Sequence, residues 1–164
     1  MSENCRLLSV VVLLLGLALV VGASAGANAI TPPQLTSTGA APTRGEYAIV
    51  RAMNALRVRN GAPPLRVGRA LTRAARAHSV DMARRGYFDH GAFVQRLRRF
   101  GVRAPYVGEN IAYGSQSMGA AAVVQMWIAS PPHRQNVLDR SFRRIGVGVA
   151  GSSRKLITAD FAGG

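Results

Sequence analysis

Arg143-Arg144-Ile145-Gly146-Val147-Gly148-Val149-Ala150 alternates branched apolar residues with glycine. Ile145, Val147 and Val149 share one strand face. Gly146 and Gly148 leave the other face nearly bare, which allows close approach by a helix or another backbone. Gly151-Ser152-Ser153 reads as a turn, and Lys155 to Phe161 returns as a second strand, antiparallel to the first. Such a hairpin needs helices to cover it, and the residues upstream supply them.

Gly119 to Ile128 reads as an apolar helix, with Ala120, Val123, Val124 and the single Trp127 at three- and four-residue spacings. Pro131 and Pro132 stop it. A proline pair can also open a new turn, because the first helical positions need no internal donor. His133 then sits on a rigid corner. Pro105 to Ala112 suits a short strand or ordered loop carrying Glu109. Phe93 to Phe100 reads as a short basic helix with Phe93, Leu97 and Phe100 inward. A helix from about Arg69 to Arg85 places Leu71, Ala75, His78 and Met82 on a small-residue stripe suited to close packing, and Gly86 ends it. A first helix runs from about Gly45 to Arg59. Thr43 and Glu46 form its capping box, and Ile49, Val50, Met53 and Leu56 face inward. Ala62 to Leu65 is an extended link. Helices first and hairpin last predict an α+β domain with a small, mostly antiparallel sheet covered by helices.

Leu7 to Val21 is almost wholly apolar, follows Arg6, and leads into small residues from Ala23 to Ala29. This is the layout of a secretory signal. The expected organisation is a signal peptide at 1–25, with cleavage as late as 29, a flexible linker at 26–43 and a domain at 44–164. A retained N-terminal anchor is the alternative. Cys5 leaves with the peptide, so the exported domain relies on its core, helped by any bound metal, rather than on disulfides. Lysine and arginine number 21 against seven acidic residues, a formal charge of +14. That balance favours anionic lipids or glycopolymers as partners. The basic side chains are scattered through the helices, which is also how a solvated face looks. With few aromatics and no nucleic-acid motif, specific nucleic-acid binding is not expected.

Three histidines are available for chemistry. His78 lies in an apolar stripe and reads as a buried, hydrogen-bonded structural imidazole. His90 and His133 lie at element boundaries, as does Glu109, where a scaffold can aim side chains into a cleft. Two imidazoles and a carboxylate suit Zn²⁺ or a similar divalent ion. No short ligand motif joins them, and there is no nucleophile elbow, His-Glu-x-x-His or phosphate loop. Asn110, Asn136 and Trp127 read as architectural.

The ordered motifs His78-Ser79 with Asp81-Met82-Ala83, Tyr87-Phe88-Asp89-His90, Gly108-Glu109-Asn110-Ile111-Ala112, Trp127 with Ser130-Pro131-Pro132-His133-Arg134 and Asn136, and Ile145-Gly146-Val147-Gly148-Val149 resemble the bacterial branch of the CAP superfamily. These are SCP-like extracellular domains related to cysteine-rich secretory and pathogenesis-related proteins. The resemblance spans about Arg44 to Phe161. It implies an α-β-α sandwich and a cleft lined by His90, Glu109 and His133, with Asn110, Ser130 and Asn136 supporting it. The second acid of many members falls at Ser130, so the full tetrad is absent. Pro132 replaces the usual glycine, and a short loop after His90 leaves the cleft more open. The family's activities are diverse: divalent-metal binding, sterol or lipid binding, protein or cell-wall interaction and claims of proteolysis.

The expected function is binding or interaction at the cell envelope or outside the cell, through a metal-competent His90/Glu109/His133 cleft and with no organic cofactor. One alternative is a metal-assisted hydrolase of peptide or peptidoglycan, with the same three residues as its catalytic candidates. The other is a cationic binder of anionic lipids or polymers with a vestigial cleft.

Overall fold

Thr43 and Glu46 form the predicted capping box. Thr43 Oγ1 accepts from the Glu46 amide at 3.3 Å, and Glu46 Oε2 accepts from the Thr43 amide at 2.7 Å. The computed structural model describes residues 41–164. The expected signal peptide, and the expected linker up to residue 40, lie outside the described residues. The described residues fall within one compact unit. Its elements are α1 (Arg44–Arg59), β1 (Arg66–Val67), α2 (Arg69–Arg85), α3 (Phe93–Arg99), β2 (Val107–Gly114), α4 (Ala120–Ala129), α5 (Pro131–Leu138), β3 (Phe142–Ala150) and β4 (Lys155–Gly163).

The strands form one sheet in the order β1-β3-β4-β2. The hairpin β3–β4 and the pair β2–β4 are antiparallel, and β1 is parallel to β3. Strand β1 follows the extended link at 62–65, and its two residues are too few for the sequence to show a period. The new turn after the prolines is a full helix, α5, with Pro131 and Pro132 in its first positions, where the missing amides cost nothing.

The two faces of β3 behave as their residues dictate. Ile145 and Val147 join α1, α4 and α5 in the larger core, with Met53, Trp127, Val137 and Phe161 fully or almost fully buried. The glycine face takes α2 against the backbone. A Cβ on Gly146 would lie 2.1 Å from the carbonyl carbon of Leu71 and from the Thr72 amide nitrogen, and one on Gly148 would lie 2.3 Å from the Arg76 amide nitrogen. Ser79 fastens this layer by donating to the Gly148 carbonyl at 3.0 Å and to Thr158 Oγ1 at 2.9 Å. The sheet is therefore the middle of an α-β-α sandwich.

β2 is an edge strand, and unpaired edge carbonyls invite wrong partners. Here Trp127 Nε1 donates to the Ile111 carbonyl at 3.0 Å and Asn136 Nδ2 to the Glu109 carbonyl at 3.2 Å. Helices α4 and α5 thus cover the edge that carries Glu109.

Candidate functional site

Glu109 on β2 stands opposite Asp160 on β4 in the sheet register. Cross-strand partners point to the same face, so two carboxyl groups lie side by side under the α2–α3 layer. Both residues are buried, Glu109 at 5% exposure and Asp160 at 0%. Arg96 of α3 reaches down to them. Its Nη2 pairs with Glu109 Oε2 and lies 3.5 Å from Asp160 Oδ1, while Nη1 donates to the His90 carbonyl at 3.4 Å. The His90 ring takes the other side of the glutamate, with Nδ1 2.7 Å from Glu109 Oε1. Because Arg96 faces the second oxygen and favours the charged carboxylate, Nδ1–H is the donor in this bond. The His90 side chain stays 45% exposed above a carboxylate that is 1% exposed.

The α5 side of β2 is organised by two asparagines. Asn136 Nδ2 donates to Asn110 Oδ1 at 2.9 Å, and Asn110 Nδ2 donates to the His133 carbonyl at 3.0 Å. This chain fixes the start of α5, and with it His133, against the strand that holds Glu109. Gly108 lets the two elements meet: a Cβ there would sit 2.8 Å from Phe142 Cζ and 3.1 Å from Asn136 Oδ1. Ser130 supplies no side-chain cap to α5; its carbonyl accepts from the Arg134 amide at 2.8 Å. Its expected support of the cleft is thus a backbone contribution.

Burial dominates the electrostatics. It raises the Glu109 carboxyl to about 7, against the pull of Arg96. It raises Asp160 well above the usual carboxylate range, and the neighbouring Glu109 charge pushes the same way. Neither Asp160 oxygen receives a well-made hydrogen bond, and Glu109 and Arg96 are its polar neighbours, which suits a protonated acid sharing its hydrogen with Glu109. Two acids this close titrate as a pair, with Asp160 keeping the proton longer. Burial lowers His133, and the His90 charge lowers it further. His78 is 3% exposed, and its Nε2–H donates to the Asp89 carbonyl at 2.9 Å. Burial, then the Arg96 charge, takes it down to about 4, so it is neutral at ordinary pH.

An acid whose pKa is raised on folding contributes stability below its unfolded value and loses it as pH climbs through the folded value. His78, lowered on folding, works oppositely, losing its contribution as pH falls from 6.5 towards 4. Comparing Asp160→Asn with wild type cancels the His78 part. The variant is expected to gain stability relative to wild type as pH rises from about 4 to about 8. Urea unfolding at both pH values checks this; a difference that is flat or falls with pH contradicts it.

The structure brings His90 and Glu109 into contact and brings His133 to the adjoining strand edge. It does not gather the three into a metal-ligand set. Among the described residues no group of three or more His, Cys, Asp or Glu could hold one ion. The reason is local: each Glu109 oxygen is engaged, one by His90 and one by Arg96. Glu109 is an anchoring carboxylate here, and the expected three-donor site does not fit the residues as folded.

Two members of the cluster, Arg96 and Asp160, were not expected. Arg96 lies within the inward stripe Phe93–Leu97–Phe100, where a lone arginine demands a buried acid. Asp160 is the only acid in a mostly apolar strand, which demands a partner or a proton. Asp160 is a second carboxylate beside Glu109, but it is fully buried and lies away from the Ser130 position.

The model of the cysteine-rich secretory protein (CAP) family matches residues 50–161. The chain belongs to the CAP family. This CAP domain is 35% identical over 133 residues to the uncharacterized protein YkwD of Bacillus subtilis (strain 168), covering 78% of this chain and 51% of that one. It is similar in structure to an extracellular protein containing an SCP domain from Bacillus anthracis, at 33% identity and TM-score 0.67, covering 73% of this chain and 40% of the other. An outer surface protein of Borrelia burgdorferi shares the fold at TM-score 0.66 and 18% identity, covering 74% of this chain and 94% of that one. The CAP domain thus spans about half the length of YkwD and less of the Bacillus anthracis protein. Its α+β fold and bacterial branch agree with the motif reading. Among the described residues no helix is long and apolar enough to cross a membrane.

Proposed function

We propose that this CAP domain works outside the cell as a binding module for a cell-envelope ligand, through the face carrying His90 and His133. One observation carries the proposal: a buried carboxylate, itself fixed by a mostly buried arginine, holds a half-exposed imidazole in place. With Nδ1–H given to Glu109, the His90 Nε2 is left to accept from a ligand, and the ring costs little entropy to order on binding because it is already held. The apolar signal-like segment and the names of the extracellular and outer-surface relatives support an extracytoplasmic location.

A divalent ion such as Zn²⁺ held directly by Glu109 would have to displace Arg96, whereas one held by the free His90 Nε2 with Glu109 behind the ring would not. The proposed role does not depend on either.

Co-sedimentation of the purified chain with isolated cell-wall peptidoglycan tests the proposal. Wild type is expected to bind, and His90→Ala/His133→Ala to bind at least about tenfold more weakly, the loss of one well-made contact. Equal binding by the double variant that collapses on raising salt would instead identify a cationic surface binder whose imidazoles are idle.

A further inference from the structure

A hollow opens between α2 and α3. It holds about 680 Å³ and is lined by His78, Asp81, Arg85, Tyr87, Gln95, Arg96 and Arg99 among others. That is within the size range of small-molecule sites. Two of its walls are planar rings, His78 and Tyr87, with centroids 6.1 Å apart and planes tilted by 59°. The neutral His78 ring is fixed by its bond to the Asp89 carbonyl.

The charges of the hollow divide into spent and unspent groups. Asp81, the acid in the lining, accepts from the Tyr87 hydroxyl at 2.6 Å and pairs with Arg85 at 3.4 Å. Burial and that bond hold the Tyr87 phenol up at about 12, so it stays a donor, and its hydrogen is spent on Asp81. Arg85 also lies 5.5 Å over the Tyr87 ring, which fixes its guanidinium at the rim. The side chains of Arg99 and Gln95, one turn apart on α3, have no hydrogen-bond or ion-pair partner among the described residues. The acid is thus answered locally. Arg96, also in the lining, is committed to Glu109, and the forked donors of Arg99 and Gln95 remain facing a ring-walled space. Donors of that type recognise planar or tetrahedral oxyanions.

We propose that this hollow is a binding site for a small molecule bearing a carboxylate or phosphate group, with Arg99 and Gln95 holding the anion and Tyr87 and His78 flanking the body. It adjoins the His90–Glu109 cluster through Arg96, which lines it, but neither His90 nor His133 lines it, and the proposal does not rest on the function proposed for that face.

The test is a titration of the isotope-labelled purified chain with inorganic phosphate and, separately, with acetate, at constant ionic strength set by chloride. Saturable amide shifts confined to residues 77–81 and 91–99 are expected with at least one anion, and the anion that saturates identifies the class. Arg99→Gln should weaken that binding roughly tenfold, as loss of one charge-assisted contact does. Arg99 is exposed, so the substitution leaves the fold intact, which unchanged spectra elsewhere would verify. His90→Ala/His133→Ala should leave the titration unchanged, so failure of the envelope-binding reading and failure of this one show separately. Linear shifts with both anions, an unchanged response in Arg99→Gln, or shifts centred on residues 90 and 133 would overturn the proposal.

Discussion

Gly146→Ala is expected to cost this domain most or all of its stability, more than about 4 kcal/mol against a typical total of roughly 5–15. A single methyl in a soft core usually displaces a side chain and costs about 1–3 kcal/mol. At Gly146 there is no side chain to displace. The added carbon would sit 2.1 Å from backbone atoms of Leu71 and Thr72 in α2, so the helix itself must lift off the sheet. Lifting it exposes the smaller cores built on Leu71 and Met82 and takes α2 and α3 away from the buried acids. Gly148→Ala should behave alike, since its new carbon would meet Ala75 and Arg76 backbone within 2.5 Å. Gly45→Ala is the control, because nothing lies within 4 Å of that position. Urea unfolding or circular dichroism of the three variants measures the contrast; a cooperative, near-wild-type transition for Gly146→Ala would show that α2 does not pack as described.

Arg57→Ala is expected to destabilise the fold by about 3–5 kcal/mol, because several buried carbonyls lose their donor at about 1–3 kcal/mol each and water makes good only part of the loss. Arg57 is 0% exposed and ion-pairs with no carboxylate among the described residues. Instead, its guanidinium is shared among carbonyls. Nε donates to Pro63 at 2.8 Å, Nη1 to Val137 at 2.6 Å and Asp139 at 3.0 Å, and Nη2 to Phe142 at 3.3 Å. These carbonyls belong to the loop after α1, the end of α5 and the start of β3. One side chain therefore satisfies the last carbonyls of α5, which have no intrahelical donor, and ties three separated segments together. Arg57→Lys should recover only part of the loss, because a single ammonium cannot reach the same spread of acceptors. Denaturant midpoints of both variants check this ranking, and a lysine variant as stable as wild type would contradict it.

The elements were legible wherever one residue type repeated at one period. The alternation Ile145-Gly146-Val147-Gly148-Val149 carried both the strand and the close helix, and the Thr43/Glu46 box marked the start of α1. The candidate site was only partly legible. His90, Glu109 and His133 could be named from motif positions, yet their relation could not, because it depends on sheet register and on Arg96. Glu109 and Asp160 are far apart in sequence and adjacent only through the β2–β4 pairing. Arg96 looked like one more basic residue among many in a chain of +14. The register turned a proposed metal ligand into the anchor of an imidazole, a change no spacing rule could supply.

The proposed binding face depends most on Glu109 holding the His90 ring by its Nδ1–H. Nitrogen-15 spectra of the histidine rings in the purified chain at about pH 8, above the Glu109 value of about 7, read that proton directly. His90 is predicted to carry its hydrogen on Nδ1 and leave Nε2 bare. A hydrogen on Nε2, or a ring exchanging evenly between both forms as a free imidazole does, would contradict it.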